Sequence, residues 1–246
     1  EMKKLTRCFL VFFGIVNIQT LSAQQPFNWN LGYVPHFRNV RDVEIHNNAL
    51  FAVGGWESND SIASLFSSTD NGQNWNFITD NINAIIEDID FVGGNGYAVG
   101  WSGNFWKSIN DGASWESIPM TGILSNRDFN DCYWLDQNNG IAVGGKFLNT
   151  DTLTTIAMTQ DGGNSWTMIM DQSGDRLNSV VFLNNQNGFA VGDNGLAYQT
   201  IDGGMNWSPM NLPISNRNFN EISFSYGSNI GLVVGGWPDN DSISTI

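Results

Sequence analysis

The chain has 246 residues and a formal net charge of −14, enough length for one or two domains. Its acidity makes duplex nucleic acid and anionic membrane surfaces poor partners. Twenty-seven Gly, 10 Trp and only 6 Pro suit short strands joined by tight turns better than helices.

The first 23 residues stand apart. Lys3, Lys4 and Arg7 open the chain, Cys8 to Ile18 is an apolar run, and a polar stretch ends in Thr20-Leu21-Ser22-Ala23. This is the three-part pattern of a secretory signal peptide. Cleavage is expected after Ala23, with Ser22 as the alternative because Leu21 is large for its position. The run falls short of the ~20 apolar residues that span a bilayer, so no membrane anchor is expected and the protein is read as exported, whether secreted, periplasmic or on the cell surface. Beyond the signal, Lys107 and Lys146 are the remaining lysines and Cys132 the remaining cysteine. Stability must then come without an internal disulfide. Cys132 sits at an apolar position of a strand and reads as a buried, inert thiol. Residues 24–39 form an N-terminal segment in which Phe27-Asn28-Trp29 resembles a closing fourth strand.

From Val40 onward the chain repeats at intervals of about 45 residues, the length of a four-stranded propeller blade. Each unit opens on a strand alternating with period two. The paired apolar positions are Val43 and Ile45, Ile89 and Phe91, Cys132 and Trp134, Val180 and Phe182, and Ile222 and Phe224. A second strand follows, reading Phe51-Ala52-Val53-Gly54, Tyr97-Ala98-Val99-Gly100, Ile141-Ala142-Val143-Gly144, Phe189-Ala190-Val191-Gly192 and Leu232-Val233-Val234-Gly235. A third strand leads into a turn of the form Ser/Thr-x-Asp-x-Gly-x-x-Trp, and a fourth starts at the Trp.

The turn occurs as Ser68, Asp70, Gly72, Trp75; as Ser108, Asn110, Gly112, Trp115; as Thr159, Asp161, Gly163, Trp166; and as Thr200, Asp202, Gly204, Trp207. Its residues follow from turn chemistry. The carboxylate accepts backbone N–H groups ahead of it, the hydroxyl adds a local bond, the Gly takes a positive φ and the Trp buries a large ring. Asn110 keeps the acceptor without the charge. The turn resembles the Asp-box of BNR-repeat propellers, and together with the Ala-Val-Gly strand it resembles the photosystem II assembly and stability factor-like family. The expected fold is an all-β propeller of four-stranded blades over residues 40–246. Four blades are complete and a fifth is truncated by the C-terminus, so the sequence is expected to be a fragment of a longer propeller.

Blades one and three carry a longer second-to-third-strand connection than blades two and four. Ser125-Asn126-Arg127 enters blade three as Ser215-Asn216-Arg217 enters blade five. These matches imply a duplicated two-blade unit.

The turn residues read as a folding device, present once per blade. Arg38, Arg41, Arg127, Arg176 and Arg217 all lie in connectors just before an innermost strand, and a planar guanidinium suits carboxylate recognition. The resembled family implies a protein or peptide partner held on an Arg-bearing face. Two readings stay open. The arginines face a ligand, or they pair with Asp42, Glu44, Asp88, Asp131 and Glu221 and tie blades together. No catalytic residue and no cofactor is expected. His36 and His46 fit no zinc spacing, and Asn59-Asp60 and Asp239-Asn240-Asp241 lack the spacing of a calcium loop, so no metal site is expected. The function expected is a non-enzymatic binding scaffold. The alternatives are a sialidase-like or other glycoside hydrolase propeller, with a glycan as ligand and Tyr133 or Tyr226 as available hydroxyls, and an adhesin or surface module.

Overall fold

The computed structural model describes residues 15–17, 30–32, 39–56, 62–79, 85–147, 152–214, 216–225 and 229–236. Expectations that fall on Ala23, Phe27 to Trp29, Arg38, Tyr226 and Asp239 to Asp241 lie outside them. The chain divides into two compact units, Thr6–Ile86 and Glu87–Ile246, the latter including Glu1–Leu5.

In the first unit, β1 (Ile15–Asn17) pairs antiparallel with β2 (Asn30–Gly32). The strands β3 (Asn39–His46), β4 (Ala49–Trp56), β5 (Ile62–Ser68) and β6 (Asn76–Thr79) form one four-stranded sheet in chain order. Asn47 and Asn48, with φ of 46° and 63°, close the first hairpin, as a two-residue turn that follows strand twist requires.

The second unit repeats that sheet. Its blades are β7 (Ile86–Val92), β8 (Asn95–Gly100), β9 (Phe105–Ser108) and β10 (Glu116–Ser117); then β11 (Asp128–Trp134), β12 (Gly140–Phe147), β13 (Thr152–Thr159) and β14 (Thr167–Ser173). Next come β15 (Leu177–Phe182), β16 (Gly188–Gly192), β17 (Ala197–Thr200) and β18 (Ser208–Pro209). A fifth sheet consists of β19 (Asn218–Phe224) and β20 (Gly231–Gly236). The described residues therefore hold four four-stranded blades and two strands of another, the all-β blade architecture expected from the repeats.

In the third blade the Ala-Val-Gly strand is buried on both faces, and its alternation places small and large groups against opposite neighbours. Ala142 and Ala157 pack with Tyr97, Val99 and Phe105 of the preceding blade and with Trp134. Ile141, Val143 and Ile156 pack with Leu177, Val180 and Phe182 of the following one. Tyr97 and Trp134 stack with centroids 3.4 Å apart and planes 12° from parallel, and both are fully buried. Large rings at one position and alanine at the next let adjoining blades interdigitate at interior density.

The glycine that ends the motif has a specific cause. The innermost strands carry one extra residue opposite it, as the pairing moves from Phe129↔Gly144 to Asp131↔Val143, from Leu177↔Gly192 to Ser179↔Val191 and from Phe219↔Gly235 to Glu221↔Val234. The same bulge in β3 makes Arg41 the extra residue. Bulges re-aim the bulged side chain, and here they press a carbonyl onto the glycine. A Cβ on Gly144 would sit 2.0 Å from the Asp128 carbonyl oxygen. Gly144→Ala is expected to cost about 3 kcal/mol or more, read as a lowered urea midpoint at unchanged m-value.

Candidate functional site

The turns at the blade ends close by one hydrogen-bond pattern. Ser68 Oγ donates to Asp70 Oδ1 at 2.8 Å and accepts the Gly72 N–H at 2.9 Å. Asp70 Oδ1 then accepts the Asn74 N–H at 2.8 Å, and Oδ2 accepts the Asn74 side-chain amide at 2.7 Å. Trp75 Nε1 donates to the Gly72 carbonyl at 3.1 Å. Thr200, Asp202, Gly204, Asn206 and Trp207 reproduce the arrangement. Ser108, Asn110, Gly112, Ser114 and Trp115 do so with a neutral acceptor. In the remaining turn Thr159, Asp161, Gly163 and Ser165 keep the pattern, but the buried Trp166 Nε1 has no partner among the described residues. Its ring instead meets Phe105 and Trp134 edge-on, at 5.3 Å and 6.0 Å.

These bonds set the acidity of the turns. The Asn74 N–H and amide, with Ser68, hold the Asp70 carboxyl at about 2. The Asn206 amide and N–H hold Asp202 below the usual carboxylate range. Burial pulls Asp161 upward, yet the bonds from Ser165 and Thr159 leave it lowered too.

Neighbouring blades are joined by polar ties between innermost strands. Asp88 Oδ2 accepts the Cys132 N–H at 2.8 Å, with the Cys132 thiol 3.1 Å away. Asp90 Oδ2 accepts the Trp134 N–H at 3.0 Å. One junction on, Asp131 Oδ2 accepts the Val180 N–H at 2.7 Å; at the next, Ser179 Oγ accepts the Ile222 N–H at 3.3 Å. The bulge residues add a second line. Asn130 donates to the Leu177 carbonyl at 2.7 Å, and Asn178 to the Phe219 carbonyl at 3.0 Å. These asparagines were not singled out from the sequence, although Asn130-Asp131, Asn178-Ser179 and Asn220-Glu221 recur just ahead of the apolar strand positions.

The arginine connectors of the second unit all lead into innermost strands, so Arg127, Arg176 and Arg217 lie at the same end of their blades. The main chains of Arg127 and Arg217 are held by the preceding blade, through the Gly103 N–H and the Gly195 N–H onto their carbonyls, and that of Arg176 by its own blade, through the Asp193 N–H. Their side chains differ. Arg127 makes a bidentate pair with Asp171 of β14, Nε to Oδ1 and Nη2 to Oδ2 at 2.7 Å each, with side chains 9% and 8% exposed. Thr155 Oγ1 adds a third bond to Asp171 at 2.8 Å. The hydrogen bond from Arg127 lowers the Asp171 carboxyl against the opposing effect of burial, and Asp171 in turn raises Arg127. Arg176 contacts Asp193 at a longer 3.4 Å and is 28% exposed. Arg217 is half-buried, and Arg41 belongs to the first unit. The carboxylates on Arg127 and Arg176 are thus Asp171 and Asp193, neither of which sequence reasoning named. A signal existed: Asp80 and Asp171 follow the turn Trp by the same offset in the two long blades.

Among the described residues no cluster of three or more His, Cys, Asp or Glu is placed to hold a metal, and no helix is long and apolar enough to cross a membrane. Cys132 is buried and forms no disulfide among the described residues.

The blades and their ties define a β-propeller. The family model for the photosynthesis system II assembly factor YCF48 matches residues 163–238. The photosystem II assembly lipoprotein Ycf48 of Trichormus variabilis is 33% identical over 69 residues, which span 28% of this chain and 20% of that relative. Among solved structures, YCF48 bound to D1 peptide superposes with a TM-score of 0.60 at 17% identity, covering 82% of this chain and 61% of that one. An ancestral GH74 enzyme superposes at 0.65 with 20% identity, covering 82% of this chain and 28% of that one. Identities this low show a shared fold alone. The chain is thus a β-propeller whose residues 163–238 resemble the Ycf48 family, and it spans only a fifth of the curated relative it matches.

Two outcomes are expected. A depressed carboxyl contributes stability that is complete above its unfolded value of about 4 and is lost as pH falls toward about 2 for Asp70. Acid titration of stability should therefore fall across that window, and Asp70→Asn/Asp161→Asn/Asp202→Asn should flatten the fall. At the buried ion pair, Arg127→Met or Asp171→Leu alone should cost about 3–5 kcal/mol, and the double change clearly less than the sum, measured by denaturant unfolding.

Proposed function

We propose that this protein is an exported, non-enzymatic scaffold that holds an acidic or carboxylate-ended peptide of a partner protein at the blade end bearing Arg176 and Arg217. The observation that carries this reading is the division of labour among the arginines. Arg127 is committed to Asp171 in a buried bidentate pair, whereas Arg176 keeps 28% of its side chain exposed beside a longer contact. A partly exposed guanidinium in an acidic protein selects carboxylates by its planar fork. The related YCF48 propeller holds a D1 peptide, which supports a peptide as the class of partner, and the Trichormus relative is a lipoprotein, which supports export as read from the basic-apolar-polar start. The buried acids Asp88, Asp90 and Asp131 accept backbone N–H groups, so they serve blade joining rather than a pair of acid and base carboxyls. Arg38 and Arg41 enter the first blade and are proposed as members of the same class of site.

A displayed library of random dodecapeptides selected on the wild-type protein tests the reading. Selected peptides should be rich in Asp and Glu or depend on a free C-terminal carboxylate. Arg176→Ala/Arg217→Ala should weaken them by about tenfold or more, the loss of one charge-assisted bond, with little change in melting temperature. Equal binding by the double variant sinks the proposal.

A further inference from the structure

The outer strands of the second unit end its sheets in different ways. Strands β10 and β18 are two residues each, and prolines 119 and 209 stand at or beside them. Short length and proline are the usual means of blunting a sheet edge. Strand β14 has neither protection. It runs seven residues, Thr167-Met168-Ile169-Met170-Asp171-Gln172-Ser173, without proline or lysine, and no further strand pairs with it among the described residues. A bulge at Ile169 twists its first half, after which Met170 to Ser173 pair regularly with Ile156 to Leu153.

That second half is also held rigid from both sides. Asp171, the strand's one charge, is turned inward onto Arg127 and Thr155. Gln172, the next residue, reaches the other way and donates to the Tyr198 hydroxyl at 2.9 Å. The Gly174 N–H to Thr152 carbonyl bond then continues the pairing beyond the strand. An inward-clamped charge cannot guard the edge, and a clamped backbone loses little entropy on pairing. The exposed groups along such an edge are alternating N–H and C=O, which only another extended strand matches.

We propose that the outer edge of β14 is a second docking surface, which takes an extended, lysine-bearing segment of a partner protein as an added strand. The net charge of −14 favours a cationic segment and disfavours a second copy of this chain. Met168, 41% exposed, gives the incoming strand an adaptable apolar contact.

The test is hydrogen exchange of the full chain, followed by mass spectrometry, with a synthetic hexapeptide alternating valine and lysine as probe. Exchange within residues 170–173 should slow by roughly tenfold, and a version with proline at alternate positions should give no protection. Ser173→Lys, at an exposed position of the same edge, guards the edge and should abolish protection at an unchanged melting temperature. Arg176→Ala/Arg217→Ala should leave it intact, which separates this surface from the arginine-bearing end. Protection elsewhere only, equal protection by the proline peptide, or loss of it in the arginine variant overturns the proposal. So does a doubled mass by light scattering without the probe, since the edge would then bind its own kind.

Discussion

The structure depends on a buried carboxylate that reaches from one blade to the backbone of the next. Innermost strands of neighbouring blades share no ladder, so an N–H at the core end of each would be buried without an acceptor, which costs about 1–3 kcal/mol per group. Asp88 meets Cys132, Asp90 meets Trp134 and Asp131 meets Val180. At the next junction Ser179 does the same work without a charge. Each acceptor serves as a pin between sheets whose remaining contacts are apolar and non-directional. The bulge one residue earlier is part of the same device. It turns Asn130 and Asn178 toward the carbonyls of the following blade, and it explains why the central strand must end in glycine.

A second layer of ties lies at the blade ends and differs between long and short blades. In the long blade, β13 and β14 extend far enough to bring Asp171 over Arg127. In the short blade, a tight turn at Asp193–Gly195 replaces the extension, and its Asp193 receives Arg176 and Asn178. The corresponding turn of the other short blade, Trp101–Gly103, meets Glu87 through the Trp101 ring N–H and Asp128 through the Ser102 N–H. Different side chains fill one set of places.

The deepest acids are engaged by backbone donors, Arg127 is engaged by a buried aspartate, and the buried Cys132 thiol lies against Asp88. On the proposed reading, a partner meets the partly exposed cationic end and the sheet perimeter. Both suit recognition of an extended peptide, the first through charge and the second through backbone hydrogen bonds.

The repeat, the strand order within each blade and the chemistry of the Asp-bearing turn were all legible in the sequence, because each arises within a few residues. Period-two burial marks the strands, and in Ser68-Asp70-Gly72-Trp75 every donor finds its acceptor within four positions. The roles of the arginines and buried acids were not legible. Arg127 and Asp171, Asp131 and Val180, and Asn130 and Leu177 are separated by a blade's length or nearly so. Composition and spacing showed that cations and carboxylates would gather near the innermost strands, but many pairings satisfy that statement equally. Only blade-on-blade packing decided among them, because a hydrogen bond is selective over tenths of an ångström and that registration exists only once the sheets are stacked.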